Sequence, residues 1–380
     1  MAQKYLFDFS LGVVNRTGAY MIVRDVLDQM PQFFSDVRFW RLLQRDPPDG
    51  LARKLLARAM MWEMRLLGDA EQLQWPEGRA EPGRRRAFFD PLYVLRSKLD
   101  RDDIVQCHDV GPVSHPELFP KPVVRLYRMA YEKIRRVGPG MVLISDTTRR
   151  EFSALFGENY RFMQVIPQYV RLGVLQGDTD PAPGVSGRFL LTVGALERRK
   201  NYARVMEAYA RSGLRERGVS YVFCGARGLD SDAIIAQARA TPGVHYTGYV
   251  SENQLRWLYK NAEGFVLPSL LEGFGLPTLE AAARGLVSVV SQGGVQEEST
   301  DGGAVLVDPL SVESIADGMV RLVDMPAAER QALLDRVQAY ARKLNYESFI
   351  ECWRMLLERN DRFPDSDGWG ASVLARRALS

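Results

Sequence analysis

Glu272 and Glu280 flank a Gly273-Phe274-Gly275 turn and Pro277 within the stretch PSLLEGFGLPTLEAAARG, residues 268–285. The apolar run GFVLPSL precedes them and an Ala-rich helical pattern follows, so the segment reads as strand, loop and helix start. Proline in the first helical turn costs nothing, because the amide it removes has no intrahelical partner there. The glycines relax the backbone and let its amides approach a ligand. Exposed amides and the helix dipole favour an anion such as a diphosphate, by about 0.3–1 kcal/mol at an exposed site. Two carboxylates beside such a site repel the anion unless they turn to hydroxyls, and a carboxylate accepts the paired hydrogen bonds of a vicinal diol. These features together fit a nucleotide-sugar, with its diphosphate on the helix start and its hydroxyls on the glutamates. On spacing alone a plainer reading stays open, in which Glu280 complements the helix dipole and Glu272 holds the loop.

The elements that must position these residues follow a regular alternation. After residue 188 come RFLLTVGA, a helix from Tyr202, VSYVFCG, a helix around SDAIIAQARA, GVHYTGY, the helix SENQLRWLYKNA, GFVLPSL, the helix LPTLEAAARG and LVSVVSQ. Short Val-, Leu- and Phe-rich strands alternating with helices predict βαβ units and a parallel sheet covered on both faces. The first half carries strand-like runs in KYLFDFS, DVRFWRLL, DIVQCHDVG and MVLISDT, with amphipathic helices in LARKLLARAMMWEMRLL and KPVVRLYRMAYEKIRRV. The Gly-, Pro- and Asp-rich stretch LQGDTDPAPGVSGR separates the halves. The expected organisation is an N-terminal Rossmann-like acceptor domain over 1–175, a flexible linker over 176–187, and a C-terminal Rossmann-like nucleotide-sugar domain over 188–350. A C-terminal helix and tail over 351–380 is expected to pack back on the first domain, and the ligand cleft to lie between the domains.

Composition narrows the function. The chain has 380 residues, enough for two domains, with 46% hydrophobic and 26% charged residues and a net charge of +3. Residues 1–180 hold 27 Lys and Arg against 23 Asp and Glu, too mild an excess to indicate nucleic acid. Cys107, Cys224 and Cys352 are widely spaced and odd in number, and read as reduced thiols of a cytosolic protein. With only three histidines, His108, His115 and His245, no metal-ligand spacing exists. The Asp-x-Asp runs at 178–180, 230–232 and 365–367 are explained by capping and solvation, so no metal is expected. The start MAQKYLFDFS reads as a first strand and not as a signal peptide. No apolar run approaches the ~18 residues that span a bilayer.

EGFGLPTLE, with FVLPSLL before it and AAARG after it, resembles the E-x7-E signature of retaining GT-B glycosyltransferases of family 4, and in particular bacterial polysaccharide mannosyltransferases. LLTVGALERRKN is similar to that family's first C-domain strand and diphosphate-binding basic pair, and YTGYVSENQLRWLYKNAEGFVLPS to its base-proximal turn and next helix. CHDVGPVSHPELF resembles the family's histidine loop, TGAYMIVRDVL its loop after the first strand, and ISDTTRREF and VIPQYVR its segment before the linker. The resemblance implies a GT-B fold, two Rossmann-like domains with parallel sheets facing across a cleft. It implies that Glu272 binds donor-sugar hydroxyls, Glu280 the ribose, and Lys200 the departing diphosphate with Arg199 as helper. It also implies that the backbone of Gly273, Phe274, Gly275 and Leu276 contacts sugar and phosphates, that Gly18 lies against the diphosphate, and that His108 contacts the sugar. His115 is left as a loop residue. Departures exist: Ala195 stands where many relatives have an arginine, so Arg198 or Arg199 must supply the second cation. Thr17 replaces a glycine, and IPQYVR lacks the usual Asn-Gly turn, leaving Arg171 without a clear role.

The expected activity is metal-independent, retaining hexosyl transfer, with no cofactor beyond the nucleotide-sugar co-substrate. The resemblance favours mannose from GDP-mannose, passed to a saccharide or lipid-linked saccharide in surface polysaccharide or lipopolysaccharide synthesis. A UDP-sugar donor such as UDP-glucose is the alternative, and a non-catalytic nucleotide-sugar-binding protein the alternative of another class, disfavoured by His108. An epimerase is not indicated, and a dinucleotide oxidoreductase is disfavoured because no G-x-G-x-x-G follows a strand. The expected location is cytoplasmic, at the inner face of the inner membrane if the basic, aromatic-bearing patches of Arg53–Arg65, Arg84–Arg86 and the Lys121 helix lie on anionic lipid. The competing reading makes these helices sheet covers with solvated polar faces.

Overall fold

The computed structural model describes residues 5–14, 18–44, 46–69, 85–170 and 176–359. They form two compact units, one running to Gln168 and resuming at Glu347, the other spanning Tyr169–Tyr346. The boundary therefore falls before the Gly-, Pro- and Asp-rich stretch, not at residue 175. That stretch is anchored to the second unit and is no free linker. Ala182 is buried beside Phe189 and Leu258, Arg256 donates to the Asp178 carbonyl at 2.8 Å, and Asn253 donates to Asp180 at 2.9 Å. Arg171 lies outside the described residues, as do Thr17, Arg84 and the Asp-x-Asp run at 365–367.

The first unit is a seven-stranded sheet of β1 (Tyr5–Asp8), β2 (Phe34–Phe39), β3 (Leu42–Leu43), β4 (Arg85–Phe88), β5 (Ile104–Cys107), β6 (Gly140–Leu143) and β7 (Phe162–Val165). Its order is β3-β2-β1-β4-β5-β6-β7. All neighbours are parallel except the β2–β3 hairpin. The run DVRFWRLL thus contains two strands, turned at Trp40, which adopts a left-handed φ of 58°. Strand residues buried on both faces make a near-continuous apolar layer, with the Phe7 and Phe89 rings 4.3 Å apart. The helix Tyr346–Arg359 contributes Trp353, whose ring lies 5.1 Å from that of Phe89.

The second unit is a six-stranded sheet of β8 (Arg188–Val193), β9 (Val219–Cys224), β10 (Val244–Tyr246), β11 (Gly264–Leu267), β12 (Ser288–Ser291) and β13 (Val305–Val307). Its order is β10-β9-β8-β11-β12-β13, with every pair parallel. The chain winds outward from β8 to β10 and returns to the other side of β8 as β11. The crevice outside the carboxyl ends of β8 and β11 is therefore the topological switch point, where such sheets place ligands. Gly225, just past β9, holds φ at 153°. A Cβ there would sit 1.9 Å from the Gly194 carbonyl oxygen, so this glycine lets the β8 and β9 exits close together. Cys107, Cys224 and Cys352 are all free and buried, and burial pushes the Cys224 thiol up to about 12. Among the described residues no helix is long and apolar enough to cross a membrane.

One basic patch read from the sequence is not a surface patch. Arg85 and Arg86 lie in β4, between β1 and β5. The Arg86 guanidinium is buried against Asp103 at 3.2 Å, and the Arg86 backbone amide donates to Asp103 Oδ1 at 2.8 Å. An alternating strand placed one arginine inside, and a buried carboxylate compensates it. Burial holds the Asp103 carboxyl above its ordinary range, and Arg86 offsets part of that rise. Arg86→Met should therefore lower unfolding stability by about 3 kcal/mol in urea titrations, since it strands a buried charge. That loss should shrink at acid pH, where protonation neutralises Asp103. A neutral substitution would count against the buried-pair assignment.

Candidate active site

Two loops converge at the switch crevice. The first leaves β8 through Gly194, whose carbonyl accepts from Tyr202 Oη at 2.8 Å, and then forms the tight turn Arg198–Lys200. Asn201 ends that turn with a left-handed φ of 62° and no side-chain cap. Its amide instead donates to the Pro268 carbonyl at 3.0 Å and the Pro309 carbonyl at 2.7 Å. The second loop leaves β11 at Pro268, and its Leu270 amide donates to the Arg199 carbonyl at 2.7 Å. Ser291 Oγ donates to the Ser269 carbonyl at 2.6 Å, and Gln296 Nε2 to the Leu267 carbonyl at 2.7 Å. The basic turn and the EGFG loop are thus stitched to each other by backbone carbonyls.

The result is a buried charge cluster. Lys200 Nζ lies 2.5 Å from Glu272 Oε1, with side chains only 6% and 7% exposed. Arg199 Nη1 lies 3.3 Å from Glu272 Oε2, and Arg199 Nε is 2.6 Å from Glu197. Ser269 Oγ donates to Glu272 Oε1 at 2.7 Å. Burial works to raise the Glu272 carboxyl, but the Lys200 and Arg199 cations and the hydrogen bonds from Lys200 and Ser269 outweigh it. The carboxyl ends below its ordinary range. Burial, helped by Arg199, draws the Lys200 ammonium down against the pull of Glu272. Arg198 turns away, pairing with Asp230 at 3.2 Å, so Arg199 is the second cation of the cluster. The Asp230 side chain serves that pair and makes no helix cap, which corrects the capping role expected of it.

Gly275 occupies the helix N-cap with a left-handed φ of 85°, and Pro277 stands in the first turn of Leu276–Ala283. Phe274 within the loop is buried. Glu280, one turn along, accepts from Tyr259 Oη at 3.1 Å. Burial, together with Glu280, holds that phenol well above its ordinary range. Glu272 and Glu280 therefore have different partners, one cationic and one phenolic. Sequence reasoning gave Lys200 and Glu272 separate duties and missed Asn201, Ser269 and Tyr259. Asn201 after a basic run looks like an ordinary cap, and Tyr259 like a core residue.

The remaining expected residues belong to the first unit. His108 follows β5, half-buried, with Nε2 3.0 Å from the Phe89 carbonyl. Nearby, the buried Asp90 accepts from the Leu92 amide at 2.8 Å and from Tyr127 Oη at 3.1 Å. Burial raises the Asp90 carboxyl, with His108 drawing it down. Gly18 opens the helix Gly18–Gln29. His115 Nδ1 lies 2.8 Å from Ser114 Oγ. Among the described residues no group of three or more His, Cys, Asp or Glu is arranged to hold a metal ion.

A parallel α/β sheet with cations, a carboxylate and a helix start at its switch point has the chemistry that suits an anionic ligand bearing hydroxyls. Residues 181–344 match the family of glycosyl transferases group 1. O-antigen chain mannosyltransferase B of Escherichia coli is 25% identical over 274 residues, 69% of this chain and 71% of that protein. Glycogen synthase of Mycobacterium tuberculosis is 29% identical over 209 residues, 52% of this chain and 48% of that protein. The crystal structure of Anabaena HepE in complex with UDP and glucose matches with a TM-score of 0.64 at 16% identity, covering 93% of this chain and 99% of that one. The fold is GT-B, and the match of residues 181–344 together with the mannosyltransferase relative makes the protein a glycosyltransferase.

Breaking the pair has a measurable cost. Glu272→Ala leaves Lys200 buried without its carboxylate and should lose about 3 kcal/mol of stability in urea, more than Glu272→Gln, whose one carbonyl oxygen still accepts from Lys200 and Ser269. Because the folded Glu272 carboxyl is depressed, its contribution is complete above the ordinary 4.5 and is lost as pH falls through the lower folded value. The stability gap between wild type and Glu272→Gln should therefore close in acid. A gap that widens there would reverse the assignment.

Proposed function

We propose that this glycosyltransferase is a retaining, family 4 hexosyltransferase that moves mannose from GDP-mannose to a saccharide or lipid-linked saccharide. The setting is the synthesis of surface polysaccharide or lipopolysaccharide at the cytoplasmic face of a membrane. The observation that carries the proposal is the Lys200–Glu272–Arg199 cluster in the β8/β11 crevice. The choice of mannose is supported by the Escherichia coli O-antigen mannosyltransferase, aligned over about two-thirds of both chains.

In this reading the diphosphate rests on the helix start at Gly273, Phe274, Gly275 and Leu276. Lys200 and Arg199 neutralise the charge that grows on the phosphate oxygen as the anomeric C–O bond breaks. A fixed, preorganised cation at that point lowers the barrier without reorganising during the reaction. Glu272, held ionised, accepts from sugar hydroxyls and Glu280 from the ribose. His108 bears on the sugar and Gly18 on the diphosphate. The acceptor oxygen bonds to the anomeric carbon on the face the phosphate leaves, and the departing phosphate oxygen takes the acceptor proton. No metal enters this scheme. A second reading, glucosyl transfer from a UDP-sugar, is favoured by the alignment with the mycobacterial glycogen synthase.

Nucleoside diphosphate release from GDP-mannose, UDP-glucose and other nucleotide-sugars, each with and without EDTA, separates these readings. Release from GDP-mannose, undiminished by EDTA, is the expected result; preferential release from UDP-glucose selects the second. Glu272→Gln should cut kcat/KM at least ~100-fold in a folded protein, and His108→Ala by about tenfold or more. Undiminished turnover in Glu272→Gln would remove the cluster from the chemistry.

A further inference from the structure

The 20-residue helix Gly50–Asp69 is apolar on two opposite sides. One side is committed to the first unit: Met60, Glu63 and Met64 are buried, and Glu63 pairs with Arg41 at 3.0 Å and Arg96 at 3.2 Å. The other side faces outward. Leu51 is 72% exposed, Leu55 55%, Trp62 66% and Leu66 47%. At 3.6 residues per turn these four fall within about 60° of arc, and they run along about 22 Å of the helix. They form a continuous apolar stripe, unlike the scattered exposed leucines that any surface carries.

The surroundings of the stripe are cationic. Arg58 lies on its edge and Lys54 just beyond, both exposed. Arg41, bonded to Glu63 on the same helix, is itself 62% exposed. Between Gly50 and Met64 the helix has one acid, the buried Glu63. An apolar stripe with Trp and Leu at its centre and lysine and arginine along its shoulder is the pattern of a helix lying in a lipid interface. Lys and Arg stems extend along apolar surface while their charges stay at headgroup level. On the same face of a second copy, Lys54 and Arg58 would meet like charges, and Glu63, the one acid of the helix between Gly50 and Met64, is buried and paired with Arg41 and Arg96.

We propose that this helix is a docking surface for anionic lipid, with Leu51, Leu55, Trp62 and Leu66 seated at the acyl boundary and Lys54, Arg58 and Arg41 on the headgroups. The first unit is thereby held on the membrane at which a lipid-linked acceptor is presented. The docking extends the acceptor reading above but does not depend on the donor chemistry.

The test is flotation of the full chain with phosphatidylcholine vesicles containing phosphatidylglycerol, against vesicles of phosphatidylcholine alone. Wild type should float with the anionic vesicles and lose that binding as salt rises. Leu55→Ser/Trp62→Ser should bind at least about tenfold more weakly with an unchanged melting temperature, because both side chains are exposed. Lys54→Glu/Arg58→Glu should weaken binding to the anionic vesicles selectively. Glu272→Gln should bind them as wild type does, so a failure of the catalytic reading leaves this result intact. Wild type that does not float, or Leu55→Ser/Trp62→Ser that floats undiminished, would overturn the proposal. So would a dimer in sedimentation that the double variant abolishes, which would assign the stripe to a second copy.

Discussion

The buried contact between Lys200 and Glu272 organises the second unit's site. Two opposite charges so close, with almost no solvent access, are tolerable only when each retains a partner and further hydrogen bonds. The structure meets that demand with Ser269 on the carboxylate, Arg199 on its other oxygen and Glu197 behind Arg199. The cluster explains the loop architecture around it. Asn201 adopts a left-handed backbone and spends its amide on two carbonyls of other loops, because the basic turn must be held against the EGFG loop to within hydrogen-bonding distance.

The same cluster brings cationic donors and a carboxylate acceptor into one crevice. Lys200 and Glu272 are mutually compensated, so the crevice does not carry the field of an isolated cation or an isolated carboxylate. An ammonium has three donors, so Lys200 can face a phosphate while remaining on Glu272, and Glu272, which accepts from Lys200, Ser269 and Arg199, keeps about one of its four lone-pair sites for a hydroxyl. Arg199, less buried than Lys200, adds the second positive charge. Arg198, one residue earlier, pairs with Asp230, although in sequence either Arg198 or Arg199 could supply the second cation.

The first unit uses its basic residues in three different ways. Arg86 is interior and pairs with Asp103. Lys133 donates to the Ser97 carbonyl at 2.6 Å, and Arg135 pairs with Glu132 on its own helix. Lys54 and Arg58 are exposed beside the apolar stripe of the Gly50–Asp69 helix. A basic run in a sequence is thus a core pair, a helix-surface pair or the exposed edge of an apolar stripe, according to the element that carries it.

The sequence by itself determined the alternation of strands and helices, the parallel second sheet, and the strand–EGFG–helix unit with Gly275 and Pro277 at the helix start. These follow from local periodicity and backbone chemistry, which neighbouring residues decide. Lys200 and Glu272 were legible as site residues through the residues around them, but their pairing was not. They are 72 residues apart and meet only because β8 and β11, which are not consecutive in sequence, lie side by side. The unit boundary, the burial of Arg86 and the outward apolar face of the Gly50–Asp69 helix were likewise decided by tertiary structure. Each depends on which face of an element finds a partner, and a partner distant in the chain leaves no mark on local spacing.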